Sequence, residues 1–285
     1  MSVTLTARAL TRRFGRHHAV AEASLSLQTG DVCALIGPNG AGKSTLLRLL
    51  AGVIAPHAGQ VDLPRREGTH QVPRVGYLPT DPRFRSTSRI GAVIDDHAAL
   101  HRCTSPWERA CTEPFRNVRQ ASIRTLSRGW RQRLAWCLLR LTTPDVWLLD
   151  EPFSGLEAHH ADACLTELVR AAADGAIIVL ATHQPTRFKG VLTHVGSMAA
   201  GRLAPLVPLS KDRVELSLEV EQGIDRLLPS LMQLEGLVVV ATRPTGCSVQ
   251  IDHAHVPALA KCCVPYGLRS METVFPPTVG ATIHD

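Results

Sequence analysis

This sequence predicts an α/β fold: a parallel sheet flanked by helices, followed by a small α+β domain. Three observations predict it. Wholly apolar runs of strand length stand at Val32–Ile36, Val146–Leu149 and Ala176–Ala181, and runs without alternation suit strands buried on both faces. Helix-period segments lie between them at Ser44–Leu50, Leu134–Leu141 and Ala158–Ala173, and strands alternating with helices build parallel sheets. Beyond a composition shift near Gly201–Ser210, shorter strand and helix patterns take over.

The elements follow in order. Val3–Leu10 and Ala23–Leu27 alternate loosely and read as strands, and Thr29-Gly30-Asp31 reads as a turn. Val75–Leu78 is a strand that runs into Pro79-Thr80-Asp81-Pro82. From about Ile90 to Arg124 the pattern is helical, broken by Pro106 and Pro114. The last part reads as a strand near Val214–Val220, a helix near Ile224–Leu234, strands at Leu237–Ala241 and Ser248–Ile251, and a helix at Val256–Cys263. That β-α-β-β-α order predicts a small α+β unit. The expected division is residues 1–204 and 205–285, with a helical subdomain at about 82–140.

A chain of 285 residues with 45% hydrophobic and 20% charged content is ordinary for a globular protein, which excludes a disordered or fibrous chain. The formal net charge is +6 and the pI about 9.1. The basic residues are scattered, with no run of five or more, so a mildly basic surface is expected and no nucleic-acid partner. The eight cysteines include no CxxC pair. The opening Met1-Ser2-Val3-Thr4 has no basic region leading into an apolar stretch, so no secretory signal is read and free thiols in a reducing cytosol are expected. The apolar run at Ala176–Ala181 falls far short of the ~20 residues a membrane helix needs. Any membrane role must then come through a partner.

Gly37-Pro38-Asn39-Gly40-Ala41-Gly42-Lys43-Ser44-Thr45 fits G-x-x-x-x-G-K-[ST] between a predicted strand and a predicted helix, the context this phosphate-cradling loop requires. The fold class thereby becomes a P-loop NTPase. Glycines let backbone N–H groups converge on phosphate oxygens, and the helix N-terminus adds a favourable dipole. Lys43 is expected on the β- and γ-phosphates of ATP, and Ser44 on Mg2+. Asp150-Glu151 ends a buried strand, at the end where open α/β sheets bind ligands. Asp150 suits the Mg2+ side, acting through the ion's water shell, and Glu151 suits the group that polarises the attacking water.

Leu126-Ser127-Arg128-Gly129-Trp130, just before that strand, resembles the LSGGQ signature of ABC-transporter ATPases. Other pieces stand in that family's order: Phe14 where an aromatic lies under adenine, Ser154-Gly155-Leu156-Glu157 where a segment crosses the dimer interface, and Thr182-His183 where the switch histidine stands. The resemblance spans about Val3 to Gly201. It implies an ATP hydrolase that works as a dimer, most simply a homodimer, around two ATP-Mg. Ser127 and Gly129 would contact the γ-phosphate across the interface, and His183 would contact it in cis. It implies a separate membrane permease as partner and a peripheral position on the cytoplasmic face of the membrane. The C-terminal domain, with Ser270-Met-Glu-Thr-Val-Phe275, is similar to the accessory domain of drug- and lipid-exporter ATPases, which implies export. The alternatives are a soluble ABC-type ATPase acting on ribosomes or DNA, and a nucleotide-binding regulator that the presence of Glu151 disfavours.

Several positions depart from the family pattern. Thr80 stands where Gln is usual near the metal, with Asp81 beside it. Arg128, Trp130 and Glu157 replace Gly, Gln or Met, and Asp. Trp107, Phe115 and Trp130 are candidates to line the permease contact, with core packing as the competing fate. His97-x-x-x-His101-x-Cys103, with Cys111 beyond, offers N and S ligands, but the spacing matches no standard zinc site. His17-His18 and His159-His160 read as solvated.

Overall fold

The computed structural model describes residues 3–63, 72–85, 87–102, 113–188, 190–209, 213–234, 237–243, 245–252 and 256–273. The chain divides into two compact units, the first running to Leu206 and the second beginning at Val207.

The first unit carries the expected parallel sheet. Strands β1 (Thr4–Phe14) and β2 (His17–Gln28) pair as an antiparallel hairpin. Strand β3 (Val32–Ile36) leads to helix α1 (Lys43–Leu50), and β4 (Ala58–Asp62) joins the free side of β1. After β5 (Val75–Leu78) and α2 (Ile90–Leu100), α3 (Arg128–Leu141) feeds β6 (Val146–Asp150). Helix α4 (Ala158–Ala173) feeds β7 (Ile177–Ala181), and β8 (His194–Ala199) with β9 (Arg202–Leu203) follows. The parallel sheet has the order β8-β3-β7-β6-β5. β9 lies antiparallel on β8.

Every residue of β3, β6 and β7 is buried, which explains their apolar sequence, broken only by Asp150 at the end of β6. One face, with Cys33, Leu35, Val146, Leu148, Ile177 and Val179, packs with Leu46, Leu47, Leu49 and Leu50 of α1 and with the β1–β2 hairpin. Trp147 points to the other face, where its ring lies 6.1 Å from that of Trp136 on α3. A smaller core joins Ile90 and Ile94 of α2 to Phe115, Ile123 and Leu134.

The helical pattern read over Ile90–Arg124 is realised only in part. Helix α2 ends at Leu100, and the described remainder holds only the 3-10 turns Glu113–Val118 and Ile123–Thr125. Pro114 at the head of the first turn is compatible with such short pieces. Phe115 is buried and meets the Trp130 ring edge-on at 5.6 Å. Both aromatics thus serve the core, the competing fate named for them, and Trp107 lies outside the described residues. His97 Nε2 bonds the Leu138 carbonyl at 2.9 Å, while Cys103 and Cys111 lie outside the described residues.

In the second unit β10 (Arg213–Val220), α5 (Ile224–Leu231), β11 (Val238–Arg243), β12 (Gly246–Asp252), α6 (Val256–Cys263) and β13 (Leu268–Thr273) succeed one another. The sheet order is β11-β12-β10-β13, with antiparallel neighbours. β13 completes the β-α-β-β-α pattern as a split β-α-β, ferredoxin-like topology. Leu216, Leu218, Leu227, Leu231, Val249, Ile251 and Leu259 fill its own core.

Leu148→Ala removes a fully buried side chain from the centre of the parallel sheet and is expected to lower stability by about 2–5 kcal/mol. All four tryptophans precede Leu206, so urea unfolding followed by tryptophan fluorescence reads the first unit.

Candidate active site

The site is assembled by strand register. Leu35 and Asp150 both pair with Ala181, and Leu78 pairs with Leu149. The chain therefore leaves the sheet at one level in three loops, beginning at Gly37, Glu151 and Thr182. The Glu151 N–H donates to the Ala181 carbonyl at 2.9 Å and the Thr182 N–H to the Leu35 carbonyl at 3.2 Å, so the ladder continues into the loops themselves. Thr80, half-buried, leaves β5 at the same edge.

The loop between β3 and α1 is tight. Gly42 has φ +104° at the head of α1, and a Cβ there would lie 2.1 Å from the Ala19 carbonyl oxygen. Only glycine allows β2 and the loop to come so close. Lys43 is 8% exposed. Its ammonium donates to the carbonyls of Gly37 at 2.7 Å and Pro38 at 2.9 Å, and these acceptors offset the burial of the charge. Ser44 Oγ donates to Asp150 Oδ1 at 2.9 Å, joining the head of α1 to the end of β6. Asp150 itself is buried. One turn on, Arg48 Nε donates to Tyr77 Oη at 3.4 Å. Burial raises the Tyr77 phenol pKa above its ordinary value. The guanidinium's pKa is raised by the bond to Tyr77 and, more weakly, by the charge of Asp150.

Glu151 follows Asp150 with φ +48°, a left-handed conformation that costs a non-glycine residue of order 1 kcal/mol. The turn swings its carboxylate to His183, with Oε2 2.8 Å from Nδ1. A cavity of about 340 Å³ adjoins the pair, lined by Glu151, Ser154, Gly155, Thr182, His183 and Gln184 among others. A second cavity of about 460 Å³ lies at the opposite end of the strands, beside Pro144, Asp145, Gly175 and Ala176. Chemistry in open α/β sheets gathers at the C-terminal ends of strands, which selects the first.

Sequence reasoning missed how the Leu126–Trp130 segment is tied to the loop after Glu151. Ser127 caps α3, its Oγ accepting from the Trp130 N–H at 3.3 Å. A Cβ on Gly129 would lie 2.6 Å from the Gly155 carbonyl oxygen. Arg128 Nη2 donates to Ser154 Oγ at 3.1 Å. Trp136 Nε1 and Gln132 Nε2 both donate to the Pro152 carbonyl, at 2.9 and 3.3 Å. A buried glutamine, 1% exposed, was the signal available in the helix pattern, but its partner is a backbone atom of a distant loop. Phe14, 51% exposed, stands apart from these contacts at the end of β1, with the Arg12 guanidinium 5.1 Å from its ring centroid.

A family model described as ABC transporter matches residues 20–154. The cytochrome c biogenesis ATP-binding export protein CcmA of Novosphingobium aromaticivorans is 30% identical over 175 residues, 60% of this chain and 83% of that protein. The thiamine import ATP-binding protein ThiQ of Vibrio vulnificus is 32% identical over 200 residues, 65% of this chain and 84% of that protein. A dimeric ATP-binding cassette in a post-hydrolysis state, bound to ADP and Pi, superposes with a TM-score of 0.60 at 18% identity, over 72% of this chain and 99% of that one. The last likeness concerns the fold.

Gly42→Ala forces a Cβ against backbone. It is expected to weaken binding of a fluorescent ATP analogue by about tenfold or more, the equivalent of roughly 1.4 kcal/mol, while circular dichroism stays that of the parent protein.

Proposed function

The chain belongs to the ABC transporter family as an ATP-binding, ATP-hydrolysing subunit, and from that premise we propose how its residues divide the work. The backbone of Gly37–Thr45 and the head of α1 cradle the phosphates of ATP, and the Lys43 ammonium turns from the Gly37 and Pro38 carbonyls to the β- and γ-phosphates. A Ser44 hydroxyl that gives its proton to Asp150 keeps only lone pairs for other partners. That donor set fits Mg2+, and Ser44, Asp150 and Thr80 are the residues that would hold it. The ion would neutralise charge on the phosphate oxygens.

Glu151 takes a proton from the water that attacks the γ-phosphorus, and the bond to the β-phosphate oxygen breaks to leave ADP and phosphate. His183 holds the Glu151 carboxylate through Nδ1 and turns the rest of its exposed ring to the γ-phosphate. The Glu151–His183 pair, at the sheet edge that also carries Lys43 and Ser44, is the observation on which this reading rests. Phe14 stacks on adenine. Ser127 Oγ accepts the Trp130 N–H and so has its own proton to offer. With Gly129 it faces the γ-phosphate held by a second, identical copy.

Among the described residues no helix is long and apolar enough to cross a membrane. We place the chain at the cytoplasmic face, held there by a permease whose helices carry the cargo path. Residues 1–204 are the ATPase domain and 205–285 an accessory domain. The split β-α-β unit, similar to the accessory domain of exporter ATPases, supports export as the direction.

Glu151→Gln keeps the shape and removes the base. It is expected to retain ATP binding and lose phosphate release by about 10²- to 10⁴-fold, and wild-type turnover in that variant refutes the assignment. A detergent-solubilised membrane protein is expected to co-purify with the chain, whereas ribosomal RNA in its place would support a soluble role.

A further inference from the structure

A second cluster of metal-ligating groups stands outside the nucleotide site. Glu157 stands at the N-terminal boundary of α4 without a side-chain capping bond, and His159 and His160 lie in its first turn. Neighbouring residues of a helix point about 100° apart, so their side chains ordinarily diverge. Here the two imidazoles converge, with ring centroids 3.7 Å apart and planes tilted by 54°. They converge on a carboxylate as well: His159 Nδ1 lies 3.7 Å from Glu157 Oε2. One ligand atom from each of the three residues lies within 4.8 Å of the other two.

That spacing is close to what a small cation requires. Metal–nitrogen and metal–oxygen bonds of about 2.0–2.2 Å in a tetrahedron put ligand atoms about 3.3 Å apart. The Glu157 and His159 side chains are 79% and 67% exposed, so small rotations within their staggered wells close the difference at little cost. The donor set of two imidazoles and one carboxylate selects Zn2+ and its first-row neighbours over Mg2+, which prefers oxygen ligands in an octahedron.

We infer that Glu157, His159 and His160 form a binding site for a divalent transition-metal ion of the Zn2+ class, with water completing the coordination. The site begins directly after Ser154-Gly155-Leu156, the loop that Arg128 and Gly129 grip. A bound ion would fasten the first turn of α4 to Glu157 and stiffen the exit of that loop. Its charge opposes the helix dipole, and the Glu157 carboxylate offsets this. The guanidinium of Arg133, which shares a small cavity with His160, lies over the Trp130 ring, 4.4 Å from its centroid, and its charge, felt at His160, is a cost that the Glu157 carboxylate must offset.

The test titrates the nucleotide-free full chain with Co2+ alone, followed by its visible absorption, and then displaces it with Zn2+. The expected result is one equivalent with nitrogen/oxygen-type d–d bands and no thiolate charge-transfer band. That equivalent is absent from the H159A/H160A double variant and bound about tenfold more weakly, or worse, by E157Q. Should the double variant fail to fold, H160Q serves in its place and is expected to show the same tenfold loss. No bound equivalent in the parent chain, the same equivalent and spectrum in the variants, or a thiolate band that survives in them overturns the site.

Discussion

The constraint on which the rest depends is the register of three buried parallel strands. Because Leu35, Asp150 and Ala181 stand side by side, the phosphate loop, the two carboxylates and the histidine loop emerge at one level of the sheet. Nothing in the loops could bring Ser44 to 2.9 Å from Asp150, or His183 to 2.8 Å from Glu151, if a strand were displaced by one residue. Such a slip would also turn every apolar side chain of that strand to the wrong face. The packing that stabilises the fold therefore also sets the geometry of the chemistry.

A second layer of order connects that edge to the signature helix. The Pro152 carbonyl, one residue after Glu151, accepts from two side chains of α3, and Arg128 and Gly129 meet Ser154 and Gly155 two and three residues further on. The rings of Trp136, Phe153 and Phe188 stack in succession at 6.3 and 5.0 Å, filling the space beneath this loop. The loop after Glu151 is thus held from its start to its glycine by one helix. A shift of α3, which falls within the expected helical subdomain, must move the loop beside Glu151. This gives a physical route by which a displacement of α3 reaches the Glu151–His183 pair.

The sequence reveals much of this and hides a definable remainder. Fully buried strands such as Val32–Ile36 and Ile177–Ala181 are legible because burial on both faces removes every polar residue from them. The Gly37–Thr45 loop is legible because the close approach of neighbouring backbone demands glycine at Gly37 and Gly42. By contrast β4, Ala58–Asp62, is solvent-facing and carries Gly59 and Gln60, so no alternation announces it. β8 mixes His194, Gly196 and Ser197 with its apolar residues and is pinned by its neighbour rather than by its own pattern. The helical reading of Ile90–Arg124 holds to Leu100, while in the described residues 113–125 the chain folds around Phe115 and Ile123 in 3-10 turns. The left-handed turn at Glu151 and the bonds to Pro152 are tertiary facts, invisible to any local window.

The central claim is that a triphosphate is gripped by the loop backbone and one ammonium at this sheet edge. Lys43→Ala tests it most directly, with ATP affinity measured by calorimetry and turnover by phosphate release on the same preparation. The account predicts that affinity falls by about tenfold or more and that phosphate release is lost. Unchanged affinity and turnover in a folded Lys43→Ala protein would contradict it.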